Sequence, residues 1–165
     1  MSAEITLRFV SSHKSSLMGR AIDWFTQGRV GHVDAVLPDG SLLGSQATEY
    51  GEIPAGVQIR PANYWDFDRV YLVRIPVSEA QLAGWNGFMQ RQIEKPYDYA
   101  AIAAFPVQRD WRNDDAWFCS ELQAAALEEI GFWPYPLAAP VNKITPQALL
   151  LLCSASGVVE AVKED

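Results

Sequence analysis

Two short segments of the chain each supply one half of a thiol–imidazole pair. Gly31-His32-Val33-Asp34 contains one of only two histidines, and Trp117-Phe118-Cys119-Ser120-Glu121-Leu122 contains one of only two cysteines. A cysteine is nucleophilic as the thiolate, and a neighbouring histidine can take its proton. The chemistry that these residue types could perform is acyl transfer or hydrolysis through a thioester.

Cys119 is predicted to lie in the first turn of a helix. Apolar residues recur with helical spacing over residues 118–130, and Gly131 follows as a C-terminal stop. The free N–H groups and the positive end of the helix dipole favour a thiolate at this position. Asp114 and Asp115 precede the helix and could cap it. Because most free cysteines are small buried hydrophobic residues, position alone leaves a structural role for Cys119 open.

His32 is predicted to begin a half-buried strand. Alternation along the strand sends Asp34 to the same face as His32 and Val33 to the other face. The strand leads into Leu37-Pro38-Asp39-Gly40-Ser41, where proline suits a type I turn and glycine suits the left-handed position that follows. This pattern predicts a hairpin with a three-residue loop.

The hairpin determines which residue lies opposite His32 on the next strand. With a three-residue loop, Gly44 faces Asp34 and Gln46 faces His32 on the same side of the sheet. The Gln46 amide could then hydrogen-bond the imidazole. Cys119, His32 and Gln46 would together form a Cys-His-polar triad.

A shorter turn would give His32 a different neighbour. A two-residue loop shifts the pairing by one, places Ala47 opposite His32 and leaves Ser45 as the polar neighbour. The turn residues favour the longer loop and therefore Gln46. Without the hairpin pairing, Gln46 would be predicted to be an ordinary solvent-facing polar residue.

The remaining pattern predicts an α+β domain. A helix is expected after Ser15-Ser16, and another begins at the capping box of Ser78 and Gln81 and ends before Pro96. A further helix could start at Thr145-Pro146. The predicted strands cover residues 5–10, 32–37, 41–47, 57–60 and 70–76.

Composition and charge limit the function classes. The 165 residues, 49% of them hydrophobic, can bury one sizeable core, which predicts a single domain over residues 1–165. The net charge of −7 disfavours binding to nucleic acid or to an anionic membrane surface. With no basic and apolar leader and no apolar run of about 18 residues, we expect a cytoplasmic protein without integral membrane association, although export by a non-Sec route stays open.

Other residues and motifs add little chemistry. The two histidines and two cysteines show no zinc-ligand spacing, and no phosphate-binding glycine loop is present, so neither a metal nor another cofactor is predicted. His13 is expected in a solvated loop, and Cys153 in an apolar core beside a leucine run. Two dispersed cysteines do not make a disulfide framework, which fits a reducing compartment.

Three segments carry a resemblance to a known family. They are the cysteine segment, residues 32–40 and Pro96-Tyr97-Asp98-Tyr99. Together they resemble the circularly permuted branch of the NlpC-type, papain-like cysteine hydrolases, which includes the lecithin:retinol acyltransferase-like enzymes. In papain the cysteine helix precedes the histidine strand, whereas in this branch the strand comes first, as His32 precedes Cys119 here. The resemblance spans residues 5–131.

The resemblance implies a fold and a set of roles. The fold would be a permuted papain-like domain, with an antiparallel sheet of about four to six strands packed against the cysteine helix. Cys119 would be the nucleophile and His32 the base, while Tyr97 would line the site or help to stabilise an oxyanion, or be a plain core aromatic. The acyltransferases have a second histidine where this chain has Gly44. Either Gln46 takes the orienting role, or the triad is incomplete.

These inferences predict a thiol-dependent hydrolase or acyltransferase. The preferred reaction is cleavage of an amide bond of a peptide or of peptidoglycan, since related folds act on such amides or on lipid esters. The expected partner is a small-molecule, peptide or lipid-like acyl substrate. The alternative, from a different class, is an inactive papain-like domain that binds a ligand or has a structural role.

Overall fold

The computed structural model describes residues 2–11, 30–100 and 115–164. The helix predicted after Ser15-Ser16 lies outside them, as do His13 and Asp114.

A six-stranded antiparallel open sheet forms the centre of the described structure, in the order β4-β3-β2-β1-β5-β6. The alternating sequence of β1 buries Leu7 and Phe9 on one face, and β1 pairs with β2 on one side and with β5 on the other. The strands are β1 (Ser2–Val10), β2 (His32–Val36), β3 (Leu42–Gln46), β4 (Gly56–Arg60), β5 (Arg69–Ser78) and β6 (Val158–Glu164).

Three α-helices and a short 3-10 helix complete the described structure. The Ser78 hydroxyl accepts from the Gln81 N–H and the Gln81 side chain accepts from the Ser78 N–H, so the capping box begins α1 as predicted. The Thr145 hydroxyl caps the last helix by accepting from the Ala148 N–H, ahead of a proline at the first helical position. The helices are α1 (Glu79–Gln92), α2 (Cys119–Glu129) and α3 (Pro146–Ser154), with the 3-10 turn at Val141–Lys143.

Apolar residues pack on both faces of the sheet. The larger cluster joins alternate strand residues such as Phe9 and Leu43 to apolar residues of α1, α2 and α3. A smaller, mainly aromatic cluster contains Val10, Leu42, Tyr64 and Phe67, whose strand members alternate with those of the first cluster. Residues of β2 therefore point alternately into the helix-covered core and toward the aromatic cluster.

The predicted α+β class and antiparallel sheet are confirmed, together with the strands and the two helices expected around residues 78–92 and 118–130. The strand β6 was not predicted. Across the described ranges, none of the helices combines the length and the apolar character needed to cross a bilayer.

Candidate active site

The helix α2 begins at Cys119. Phe118 precedes it in an extended conformation, and its N–H donates to Oε2 of Glu121 at 3.4 Å. The Glu121 side chain therefore occupies a free donor at the helix start, and it is buried there. This local arrangement places the Cys119 thiol in the first turn, as predicted.

Buried hydrogen bonds tie this helix start to the sheet. The Ser45 hydroxyl of β3 donates to the carbonyl of Trp117 at 2.6 Å, and the Gln123 amide of α2 donates to the carbonyl of Leu43 at 3.1 Å. The indole N–H of Trp117 donates to Oε1 of Gln92 at 3.0 Å. The backbone on both sides of Cys119 is consequently fixed relative to β3.

His32, at the start of β2, lies between a carboxylate and a thiol. Its Nε2 atom is 2.9 Å from Oδ1 of Asp34, two residues along the same strand. Among the described residues, Nε2 has no well-aligned hydrogen-bond acceptor, so the contact with Asp34 is an ion pair more than a directed hydrogen bond. The Cys119 thiol lies beside the imidazole, close enough to act on the pKa of His32. All three side chains are buried.

The charges around His32 favour its protonated form. Burial by itself lowers the pKa of His32, but the Asp34 carboxylate and the Cys119 thiolate outweigh burial and raise that pKa to about 10. The imidazole is therefore an imidazolium at neutral pH when the thiolate lies beside it. This arrangement can hold a proton that a leaving group later receives.

Asp34 is held as a carboxylate by several neighbours. Burial by itself raises the pKa of Asp34, but His32, a hydrogen bond from Tyr64 and the charge of Arg8 lower it below its usual range. The Tyr64 hydroxyl donates to Oδ2 at 2.8 Å. Arg8 lies directly opposite Asp34 on β1, with its guanidinium 5.3 Å from the centre of the Phe67 ring.

A second arginine, Arg60 of β4, lies in the same buried region. Only 2% of its surface is exposed, and its guanidinium donates to the carbonyls of Gly44, Pro54 and Gly56 at 2.9–3.2 Å. Burial lowers the pKa of Arg60, and the nearby Asp34 carboxylate opposes that effect. The Asp34 carboxylate is thus flanked by positive charge from β1 and β4.

The hairpin after β2 has the predicted register. The Leu37 N–H donates to the Ser41 carbonyl at 2.8 Å, and Gly40 has a left-handed φ of +83°. Ala35 pairs with Leu43 and Val36 with Leu42, so the same register places Gly44 opposite Asp34. The three-residue loop is confirmed.

Gly44 leaves room for the Asp34 carboxylate. A Cβ atom added at Gly44 would overlap Oδ1 of Asp34 and lie 3.2 Å from its Cγ. Position 44, where the resemblance to the acyltransferases implies a histidine, therefore has no side chain here, and Asp34 fills the space from the neighbouring strand.

Gln46 does not take the predicted position against the imidazole. Its Oε1 atom accepts from the backbone N–H of Ala47 at 3.0 Å, and its amide donates to the Tyr64 hydroxyl at 3.5 Å. The side chain in contact with His32 is that of Asp34 instead. The alternative neighbour Ser45 bonds the Trp117 carbonyl. Within the described ranges, Gln46 is linked to His32 through the Tyr64 hydroxyl and the Asp34 carboxylate.

Tyr97 lies in the core close to Cys119. It forms an isolated bridge with Trp117, and its ring centre is 5.0 Å from that of Tyr99. Burial first, and then the Cys119 thiolate, raise the pKa of Tyr97 well above its usual range. The phenol is therefore protonated and can serve as a hydrogen-bond donor.

Cys153 is buried in α3 within the main cluster, and burial raises its pKa to about 12. It is a thiol at neutral pH. Among the described residues, no three His, Cys, Asp or Glu side chains come together as metal ligands.

Sequence reasoning missed two residues of this site, Asp34 and Tyr64. Asp34 shares a strand face with His32, and a glycine is predicted opposite it, so the sequence did contain the signal for a carboxylate in that space. Tyr64 follows β4 in a turn closed by its N–H and the Pro61 carbonyl at 3.1 Å. No periodicity of the sequence would have placed its hydroxyl beside Asp34.

No model of a known protein family matches this chain, and no curated protein matches it. Membership of the permuted papain-like branch stays a prediction that rests on the three sequence segments.

Proposed function

We propose that the protein is a thiol-dependent hydrolase or acyltransferase with Cys119 as nucleophile, His32 as base and Asp34 as the third residue of the triad. One observation carries the proposal: the His32 imidazole lies between the Asp34 carboxylate and the Cys119 thiol, and that thiol belongs to the first residue of a helix. Nucleophilic thiol catalysis requires these parts in this order.

The proposed reaction begins with proton transfer from Cys119 to His32. The thiolate attacks an acyl carbonyl, and the resulting oxyanion accepts hydrogen bonds from the backbone N–H of Cys119 and from the Tyr97 hydroxyl. The imidazolium then protonates the leaving amine or alcohol, and a thioester remains on Cys119. His32 next deprotonates water or another acceptor, whose attack releases the acyl group.

The preferred substrate is an amide of a peptide or peptidoglycan type. The order of the two segments, with the histidine strand before the cysteine helix, agrees with a permuted papain-like fold, and so does the antiparallel sheet against which α2 packs. Related enzymes with this order act on such amides or on lipid esters.

The burial of the pair supports a second candidate function. Only 1% of Cys119 and 7% of His32 is exposed. A thiol enclosed to this degree also suits an inactive papain-like domain that binds a ligand or has a structural role.

A trapped acyl-enzyme distinguishes the two functions. The native protein is mixed with p-nitrophenyl acetate, release of nitrophenolate is followed, and the acylated residue is identified by mass spectrometry. A catalytic pair gives a rapid burst and an acetyl group on Cys119, and both are lost in Cys119→Ser and strongly reduced in His32→Ala. Cys153→Ser, the matched cysteine control, retains the burst. If no burst appears, or if His32→Ala is acetylated as fast as the wild type, the result favours the inactive domain.

A further inference from the structure

The ion pair between His32 and Asp34 does not by itself fix the orientation of the carboxylate. Nε2 of His32 is 2.9 Å from Oδ1, but its N–H is not well aligned with any acceptor. Gly44, opposite Asp34, contributes no side chain that could hold the carboxylate from β3. A directed hydrogen bond from another group is therefore needed to keep Oδ1 toward the imidazole.

The Tyr64 hydroxyl supplies a directed bond of this kind. It donates to Oδ2, the other carboxylate oxygen, at 2.8 Å, and the residue is 2% exposed. Burial and the Asp34 charge raise the pKa of Tyr64 well above its usual range, so the hydroxyl is protonated at neutral pH and can donate.

The ring of Tyr64 is itself held in place. Its centre lies 6.1 Å from that of Tyr50, 5.4 Å from Trp65 and 5.9 Å from Phe67. Packing against these neighbouring aromatic rings limits the movement of the Tyr64 ring and therefore of its hydroxyl oxygen. The bond to Oδ2 thus favours one orientation of the Asp34 carboxylate.

We infer that Tyr64 is a positioning residue that orients the Asp34 carboxylate toward His32 and so extends the triad to four members. The inference rests on the proposed function for its catalytic meaning. Asp34 is also faced by His32 on its own strand, by Arg8 from β1 and by Arg60 from β4, while Cys119 of α2 lies beyond His32. The two arginines add positive charge near the Asp34 carboxylate, and the Tyr64 hydrogen bond orients that carboxylate.

The test compares Tyr64→Phe with Tyr50→Phe. Both variants remove one hydroxyl from the same aromatic cluster and keep the ring, but only the first removes the bond to Asp34. The pKa of His32 is measured by NMR, which is tractable because the chain has only two histidines. The rate of iodoacetamide alkylation of Cys119 is measured in parallel from pH 5 to 9.

In Tyr64→Phe we expect the His32 pKa to fall by about one unit, which is a tenfold change in the ratio of protonated to neutral imidazole at a given pH. We expect the pH dependence of the alkylation rate of Cys119 to shift to higher pH in the same variant. Tyr50→Phe leaves both unchanged. A His32 pKa that is unchanged or higher in Tyr64→Phe overturns the inference, because a ring with only a packing role would leave it unchanged.

A second measurement needs no variant that might unfold. In the wild-type protein we expect the Tyr64 hydroxyl proton to give a resolved, slowly exchanging resonance with a nuclear Overhauser contact to Asp34, and its absence would overturn the inference. Failure of the proposed function has a separate signature. If His32→Ala does not slow alkylation of Cys119, the triad is wrong, whereas if it does and Tyr64→Phe matches Tyr50→Phe, only the role of Tyr64 is wrong.

Discussion

The carboxylate of Asp34 occupies the space that a side chain at Gly44 would fill on the neighbouring strand. The two residues lie opposite each other in the hairpin register. In the proposed triad, the third residue would therefore come from the strand that carries His32 and not from the next strand. The absence of a side chain at Gly44 is what leaves room for the Asp34 carboxylate.

A methyl group at Gly44 should displace Asp34. In Gly44→Ala the new Cβ overlaps Oδ1, so we expect a loss of about 1–3 kcal/mol in the free energy of unfolding and a loss of His32-dependent alkylation of Cys119. Urea denaturation and alkylation kinetics measure the two effects. Gly87→Ala is the control, since its Cβ would lie 3.6 Å from the nearest atom and a helix favours alanine by about 0.5–1 kcal/mol. Equal behaviour of the two variants would contradict the steric argument.

Asp34 and Gln46 should differ sharply in their effect on activity. Asp34→Asn removes the charge beside His32, and we expect the rate of Cys119 acylation to fall by about 10²- to 10⁴-fold, the range that proton transfer contributes. Gln46→Ala should change the rate by less than about tenfold, because its amide contacts Tyr64 and Ala47. The nitrophenolate burst measures both. A larger loss in Gln46→Ala than in Asp34→Asn would restore Gln46 as the third residue.

The protonated His32 should make stability depend on pH. Its pKa in the folded protein is about 10, above the usual value of about 6.5, so its stabilising contribution is complete below about 6.5 and disappears as the pH rises through 10. The free energy of unfolding of the wild type should therefore approach that of His32→Gln over this window. Urea denaturation at pH 6, 8 and 10 measures the difference between the two proteins. If the difference in free energy of unfolding between the two proteins grew with pH, His32 would not be an imidazolium in the folded protein.

The hydrogen bond from Ser45 should stabilise the start of α2. Ser45→Ala removes one of two hydrogen bonds to the Trp117 carbonyl, which keeps the Asp98 N–H at 3.0 Å, and we expect a loss of about 0.5–1.5 kcal/mol in the free energy of unfolding. Ser154→Ala removes an exposed hydroxyl bond to a helix carbonyl and should change stability by less than about 0.5 kcal/mol. Thermal and urea denaturation compare the variants. Equal losses would mean that the Ser45 bond is not specifically stabilising.

The elements of the sheet and the two central helices could be predicted because their signals are local. Alternation gave the strands, the Ser78 capping box gave the start of α1, and the turn residues Pro38 and Gly40 gave the register that brings Gly44 opposite Asp34. The strand β6 escaped prediction because its sequence, Val158–Glu164, forms an exposed edge whose pairing with β5 depends on tertiary contacts.

The site was predicted in part, because local sequence patterns also indicate where two of its residues lie. The helix start at Cys119 and the strand start at His32 follow from periodicity, which also shows that Asp34 and Gln46 share a face with His32. Which of the two side chains reaches the imidazole depends on competing partners. Tyr64 and the Ala47 N–H engage Gln46, and such long-range competition has no pattern in the sequence.

The position of β1 in the sheet has a consequence for folding kinetics. The first strand pairs with β5, and the imidazole of β2 meets a thiol from α2, so both contacts join segments that are far apart in sequence. Contacts of this kind form late, because closure of long loops costs entropy before any burial compensates it. The nucleophile and its base should therefore come together only in the final cooperative step of folding. In a refolding experiment, selective reactivity of Cys119 would then appear no earlier than the native near-UV circular dichroism signal.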